Sequence, residues 1–410
     1  MWEAAKGGIS GIGQITRFDA SLLPWSVAGE LKGFDAGAYL SPKEIRRLDP
    51  FVHYAVSAAV MAAEDAGLIS SHSSLIAHDS LRGSGGVIIG SSRGGIGTIE
   101  RALLRGRRAS NSELKTQNSE PGSASLRVSP YLMPATTISM AASSVSQKLG
   151  VRGHCLGLSN ACASGSNAVG EAFRLIKSGY SPLIIAGGTE APICRVCIEG
   201  YGSSGALSAR KKTSGGAPGL PRPFDKERDG FVLSEGACVL VLEEYNHALR
   251  RGALVYGEII GYGNCADALH MTKPDPEGEA RAMEMAMREA RLSPDDIDYI
   301  NTHGTGTKLG DQAEAHALRQ VFGKKASKIP ATALKSMTGH MLAASGALEI
   351  ASTLMSMKEG IIPPTTNLDE KDPDCDINII TRKKKADIKI ALSNSFGFGG
   401  MNAVIALRKV

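Results

Sequence analysis

The sequence predicts an α/β fold with a largely parallel sheet. Three observations carry this: short apolar or β-branched runs, Ala-rich amphipathic segments between them, and a high glycine content of 48 residues. Residues 86–89, 183–186, 238–242, 297–301 and 388–392 read as buried strands, and the pattern returns in 402–407. Residues 50–67, 165–178, 277–291, 312–322 and 345–359 carry helical periodicity. Strands alternating with helices argue for βαβ connectivity. Residues 105–128, rich in Ser, Asn, Gly and Arg, read as an exposed insertion, and 211–222 as a surface turn. The chain divides into candidate halves, 1–245 and 246–410, joined near 243–252.

Composition bounds the function. The 410 residues leave room for a large core. The balance of 46 basic against 41 acidic residues, +5 net, is too mild to argue for nucleic acid. No apolar run is long enough to span a membrane, and no signal-peptide pattern opens the chain, so a soluble, cytoplasmic protein is expected. The alternative is a mitochondrial or plastid protein whose transit peptide was removed. The seven scattered cysteines do not form a disulfide framework and fit a reducing compartment.

Four motifs carry chemistry. Asn160-Ala161-Cys162-Ala163-Ser164-Gly165 follows a strand-like stretch, 155–158, and precedes a helix. Cys162 is thus expected at a helix N-terminus, where the dipole and free N–H groups favour a thiolate. Locally, a buried structural Cys is an equal reading. Asn301-Thr302-His303-Gly304-Thr305-Gly306-Thr307 places His303 just past a strand end, where α/β sheets bind ligands. Lys335-Ser336-Met337-Thr338-Gly339-His340 precedes a helix from which Glu349 can fold back towards Lys335. Asn394-Ser395-Phe396-Gly397-Phe398-Gly399-Gly400 brings bare backbone close to a ligand or a neighbouring strand, and its N–H groups suit an oxyanion. Cys194-Arg195-Val196-Cys197 has no second ligand pair and reads as structural. No dinucleotide fingerprint and no phosphate loop occurs.

These motifs in this order resemble the β-ketoacyl-acyl-carrier-protein synthases, most closely the elongating type II kind. Pro223-Phe224-Asp225-Lys226-Glu227-Arg228-Asp229-Gly230-Phe231 and Ser234-Glu235-Gly236-Ala237 add to the likeness, which runs from about Gly7 to the C-terminus. The resemblance implies a thiolase-like fold: two similar halves in five α-β-α-β-α layers, assembled as a homodimer. It implies an acyl chain carried on Cys162, with His303 and His340 as partners and Lys335 and Glu349 in support. The amides of Cys162 and Phe398 would form the oxyanion hole, with Phe398 also gating the pocket. Thr305 and Thr307 would contact phosphopantetheine. Some members hold a monovalent cation near the positions of Asn301, Glu349, Ser393 and Asn394; no other cofactor is implied. The partner would be acyl carrier protein bearing acyl and malonyl groups, with neither nucleic acid nor membrane. That carrier is acidic, so Lys43, Arg46, Arg47, Arg210, Lys211 and Lys212 are candidate docking cations.

The sequence also departs from the family. The opening strand and helix are absent, a strand expected at the centre of the first half. Arg93 stands at the acyl pocket where Ile or Gly is usual, Gly205 replaces a docking Arg, and Met401 replaces a Thr. The chemistry implied is decarboxylative Claisen condensation, elongating a fatty acyl chain by two carbons. A polyketide-type ketosynthase shares the same catalytic residues, and a truncated homologue with impaired activity is a further alternative. A thiolase would carry a second Cys in 393–401, and an initiating synthase would pair Cys and His with Asn; neither pattern is present.

Overall fold

The structure is a computed structural model describing residues 1–69, 83–113, 128–209 and 220–410, without the side chains of 105–113. Two mixed sheets organise it. The first contains β1 (Gly86–Gly90), β2 (Cys155–Leu158), β3 (Leu183–Glu190) and β4 (Gly236–Glu243), in the order β2-β1-β3-β4. The second contains β5 (Glu258–Ala266), β6 (Tyr299–Asn301), β7 (Ala331–Thr332), β8 (Ile390–Gly397) and β9 (Met401–Arg408), in the order β5-β9-β8-β6-β7. In both sheets the inner pairs are parallel, β1 with β2 and β3, β6 with β7 and β8. The pairs β3–β4, β8–β9 and β9–β5 are antiparallel. Parallel pairings in these two sheets thus outnumber antiparallel ones by four to three, with the antiparallel ones on the β4 and β9 sides. β9 returns directly from β8 through a tight glycine turn, and a return without a crossover helix is antiparallel.

Helices fill three layers around the sheets. They are α1 (Pro50–Asp65), α2 (Ile96–Glu113), α3 (Met140–Leu149), α4 (Ser164–Lys177), α5 (Arg195–Ser203), α6 (Pro276–Ala290), α7 (Lys308–Phe322) and α8 (Ala343–Glu359). One apolar cluster joins α1 and α3 to the first sheet, a second joins α6 and α7 to the second sheet, and a third packs α4 and α8 between the sheets. This is the five-layer α-β-α-β-α arrangement. α2 corrects the reading of 105–128, since its helix runs to Glu113; residues 114–127 and most of the 211–222 turn lie outside the described residues.

Local chemistry sets the helix ends. The Asp49 side chain accepts from the Phe51 amide at 3.0 Å, and Pro50 supplies the first helical φ of α1. α4 and α8 approach each other unusually closely. A Cβ at Gly165 or at Gly188 would lie 2.2 Å from the carbonyl oxygen of Ala343, so only glycine allows this contact. It holds the Cys162 turn against the start of α8. The second sheet also corrects the place of the strand that the resemblance adds to the first half. By analogy with β5 beside β9, that strand belongs at the edge beyond β4, not at the centre. Among the described residues no helix is long and apolar enough to cross a membrane.

Candidate active site

Cys162 sits on the turn between β2 and α4. Ala161 takes φ +48°, a left-handed conformation rare for a residue with a side chain. The turn is secured by the Asn160 amide, which donates to Ser164 Oγ at 2.8 Å, and by that hydroxyl, which donates to the Ala161 carbonyl at 2.6 Å. Cys162 is buried, and the Phe398 amide hydrogen-bonds to its sulfur. Burial pushes the thiol up to about 11, against the opposing pull of Lys335, the Phe398 amide and Arg93. This corrects the expectation that the helix N-terminus yields a resting thiolate, because desolvation of the charged form outweighs the dipole. Alkylation of Cys162 by iodoacetamide is thus expected to accelerate about tenfold per pH unit between about pH 7 and 9.5, with no plateau. A plateau by about pH 8 would show a resting thiolate.

The two histidines face each other, with ring centroids 5.4 Å apart and planes at 82°. Burial pushes both well below the ordinary imidazole range, and the Lys335 charge adds to this, so both are neutral. Their tautomers follow from their neighbours. Lys335 Nζ lies 3.3 Å from His303 Nδ1 and can only donate, so Nδ1 accepts and Nε2 carries the proton. Ser345 Oγ accepts from the Met341 amide and lies 3.2 Å from His340 Nδ1, to which its hydroxyl can donate. His340 Nε2 is left buried with no protein partner.

Lys335 is itself buried, donating to the His303 carbonyl at 2.7 Å and to Glu349 Oε1 in a short contact. Burial raises Glu349 and Lys335 opposes that rise. Glu314, which the sequence reading missed, fixes the His303 loop by accepting the His303 and Gly304 amides, both at 2.8 Å. Its burial raises it to about 7. Its position on α7, eleven residues after His303, carries no local signature.

A cavity of about 490 Å³ opens onto Cys162, His303, His340 and Phe398. Thr305 and Thr307 line it, with their hydroxyls 2.9 Å apart. The Pro223–Phe231 motif shapes this arm from outside. Buried Arg228 donates to the carbonyls of Thr307 and Lys308, and the Gly230 amide to that of Gly306. Glu190, at the end of β3, was also missed. It accepts from the amides of Ser92, Arg93 and Ala343, pinning the loop after β1 to the start of α8.

Asn301, Glu349, Ser393 and Asn394 come together behind the histidines. Ser393 is in register with Asn301, and Asn301 Nδ2 donates to the Glu349 carbonyl at 3.1 Å. Asn301 Oδ1, Glu349 Oε2, Ser393 Oγ and Asn394 Oδ1 are all buried without a protein partner. One carboxylate and three neutral oxygens fit a hard monovalent cation.

Other expected residues fall elsewhere. Arg93 does not line the cavity; it is exposed, and its Nε donates to the Tyr201 hydroxyl at 2.8 Å, Tyr201 being the residue that does line it. Lys43 and Arg46 are exposed on helix Pro42–Arg47, away from the cavity, and Arg47 stacks on the Tyr131 ring at 4.2 Å. Arg210, Lys211 and Lys212 lie outside the described residues. Lys273 and Lys308 stand at the cavity mouth and were not singled out from the sequence.

Comparison with known proteins agrees with this geometry. Residues 1–248 match the model of the beta-ketoacyl synthase N-terminal domain, and residues 256–369 that of the C-terminal domain. The chain is 41% identical to 3-oxoacyl-[acyl-carrier-protein] synthase 2 of Synechocystis sp., covering 100% of this chain and 93% of that protein. It is 40% identical to the enzyme of the same name from Staphylococcus aureus, with the same coverage. Among solved structures, the ishigamide ketosynthase/chain length factor matches with TM-score 0.88 at 32% identity, over 100% of this chain and 94% of that one. A beta-ketoacyl synthase from Burkholderia phymatum matches with TM-score 0.85 at 35% identity and the same coverage. A cysteine on a strained turn, two neutral imidazoles facing it across one cavity, and a fold and sequence shared with these proteins throughout place this chain in the beta-ketoacyl synthase family.

Proposed function

We propose that this chain catalyses decarboxylative Claisen condensation of malonyl-acyl-carrier protein with an acyl thioester on Cys162, elongating a fatty acyl chain by two carbons. The observation that carries this is the pairing of a buried thiol with two neutral imidazoles whose Nδ1 atoms are engaged and whose Nε2 protons remain to donate. Acyl transfer to Cys162 is proton-neutral: the proton leaving its sulfur equals the one gained by the departing carrier thiol. The thiol therefore need not be ionised at rest. When malonyl-carrier protein loses CO2, negative charge develops on the thioester oxygen, and two fixed imidazole donors in a desolvated site stabilise it. The resulting carbanion attacks the Cys162 thioester. The tetrahedral oxyanion is held by the amides of Cys162 and Phe398. Lys335 and Glu349 orient His303, and Thr305 and Thr307 bind the phosphopantetheine arm. A monovalent cation held by Asn301, Glu349, Ser393 and Asn394 would balance charge behind that pair. Purified protein given acyl- and malonyl-carrier protein should form 3-oxoacyl-carrier protein and CO2; CO2 release without carbon–carbon bond formation would refute this reading.

Carrier docking is assigned to Lys43, Arg46, Arg47, Arg210 and Lys211, with Lys273 and Lys308 added at the cavity mouth. A homodimer fits the open edge of β2, where Cys155 and Leu156 are exposed. Pairing β2 with its copy would continue the first sheet across both chains. Sedimentation should give twice the chain mass, and Leu156→Lys should yield monomer.

Acyl specificity runs through Arg93 and Tyr201. A guanidinium locked to the Tyr201 hydroxyl sets a polar group behind the apolar wall of the pocket. Arg93→Ile is expected to raise kcat/KM for long saturated chains about tenfold relative to short ones. The polyketide-type reading is favoured by this same arginine and by a 33% identical match, TM-score 0.84, to the structure of a type II PKS acyl-carrier protein in complex with its ketosynthase, over 100% of this chain and 94% of that one. Greater activity on oxygenated than on saturated acyl chains would support it.

A further inference from the structure

The start of α5 carries two thiols that the condensing chemistry does not use. Cys194 caps the helix in extended backbone, φ −142° and ψ 163°, and Cys197 lies in its first turn. The two thiols are free and form one hydrogen-bonded pair. Among the described residues no group of three or more His, Cys, Asp or Glu side chains is placed to hold a metal ion, so the pair is not half of a zinc site.

The pair is electrically asymmetric. Its mutual hydrogen bond pulls the Cys194 thiol down from its ordinary value, against burial. The same hydrogen bond, followed by burial, pushes Cys197 up. One thiol is thus readier to ionise while its neighbour keeps a proton, the division that lets a dithiol close on itself. Glu100 opposes the Cys194 thiolate, and its carboxylate accepts the Arg195 and Val196 amides at 3.3 and 2.6 Å. The Arg93 guanidinium favours negative charge at Cys197. The exposed fractions, 8% for Cys194 and 7% for Cys197, admit a water-sized oxidant but not a folded protein.

We propose that Cys194 and Cys197 form a reversible redox site, closed to a disulfide by hydrogen peroxide and reopened by a small dithiol. The Cys194 sulfur attacks one peroxide oxygen; the O–O bond breaks, an S–OH bond forms, and hydroxide leaves as water with the Cys194 proton. The Cys197 sulfur then attacks that sulfenic sulfur; the S–O bond breaks, the S–S bond forms, and the hydroxyl leaves as water with the Cys197 proton. Two thiols and one peroxide become one disulfide and two waters, a two-electron change. Helical neighbours three apart hold their Cβ atoms about 5–6 Å apart and a disulfide needs about 3.5–4.5 Å, so closure tightens the first turn of α5. Tyr201 follows Cys197 by one turn and lines the Cys162 cavity, its ring centroid 6.4 Å from that of Phe398. Closure therefore reaches the cavity wall through Tyr201.

The test exposes the whole folded chain to a roughly tenfold excess of hydrogen peroxide, blocks the remaining thiols and digests with trypsin. Trypsin cuts after Arg195, so the disulfide joins peptide 178–195 to peptide 196–210, two hydrogens lighter than the two together. Most of the chain is expected to carry this linked pair, and dithiothreitol should remove it. Cys197→Ser should leave a sulfenic acid at Cys194 that dimedone traps. Glu100→Gln, which removes the charge opposing the thiolate, should speed disulfide formation at least about threefold. In the oxidised chain, iodoacetamide should alkylate Cys162 at a rate changed at least about twofold, and Cys194→Ser should show no such response to peroxide. Absence of the linked pair at that excess, or its formation only in denaturant, would overturn the site. An unchanged Cys162 rate would overturn its coupling to the cavity. None of these measurements requires condensation, so their failure is distinct from failure of the proposed function.

Discussion

Cys162→Ala is expected to abolish condensation, lowering it by at least about 10³-fold, and to eliminate the acyl-enzyme adduct in intact-mass spectra. The reason is particular to this site. The Ser164 hydroxyl on the same turn is taken up by the Asn160 amide and the Ala161 carbonyl, so it is the Cys162 sulfur that the strained turn presents to the Phe398 amide. Decarboxylation of malonyl-carrier protein should survive within about tenfold, because it rests on the two imidazoles. The same variant therefore separates the two half-reactions. Retained condensation would remove Cys162 from the mechanism, and loss of both activities with an intact fold would mean that the thiol also shapes the malonyl site.

Lys335→Ala carries the second large effect, on stability. It leaves Glu349 buried without its counter-charge, at a cost of about 3–5 kcal/mol. Melting temperature should fall by about 4–6 °C. Lys335→Met combined with Glu349→Leu removes both charges and should recover most of that loss. It should not recover condensation, because His303 Nδ1 and the His303 carbonyl lose their donor. A single variant that melts with the parent would show that the pair is not isolated from water. Recovery of activity in the double variant would show that the lysine holds only the fold, not the histidine tautomer.

Sequence by itself determined the elements and the chemistry-bearing motifs. Period-two and helical patterns placed most strands and helices, since burial on one face is a local property. The order of the Cys162, His303, Lys335–His340 and Phe398 motifs indicated the family. Two strands of these sheets went unread: β7, only two residues long, and β5, where Gly261 and Gly263 sit against the backbone of α6 and break the apolar run. Tertiary structure alone decided the electrostatics. The high Cys162 thiol, the two neutral imidazoles and the raised Glu314 all follow from desolvation by elements distant in the chain, and no local window records it. It also decided geometry that depends on register: the four partnerless oxygens behind His303, and the open edge of β2. A strand's own residues specify its faces, but only its neighbours in the folded sheet determine whether its backbone is paired.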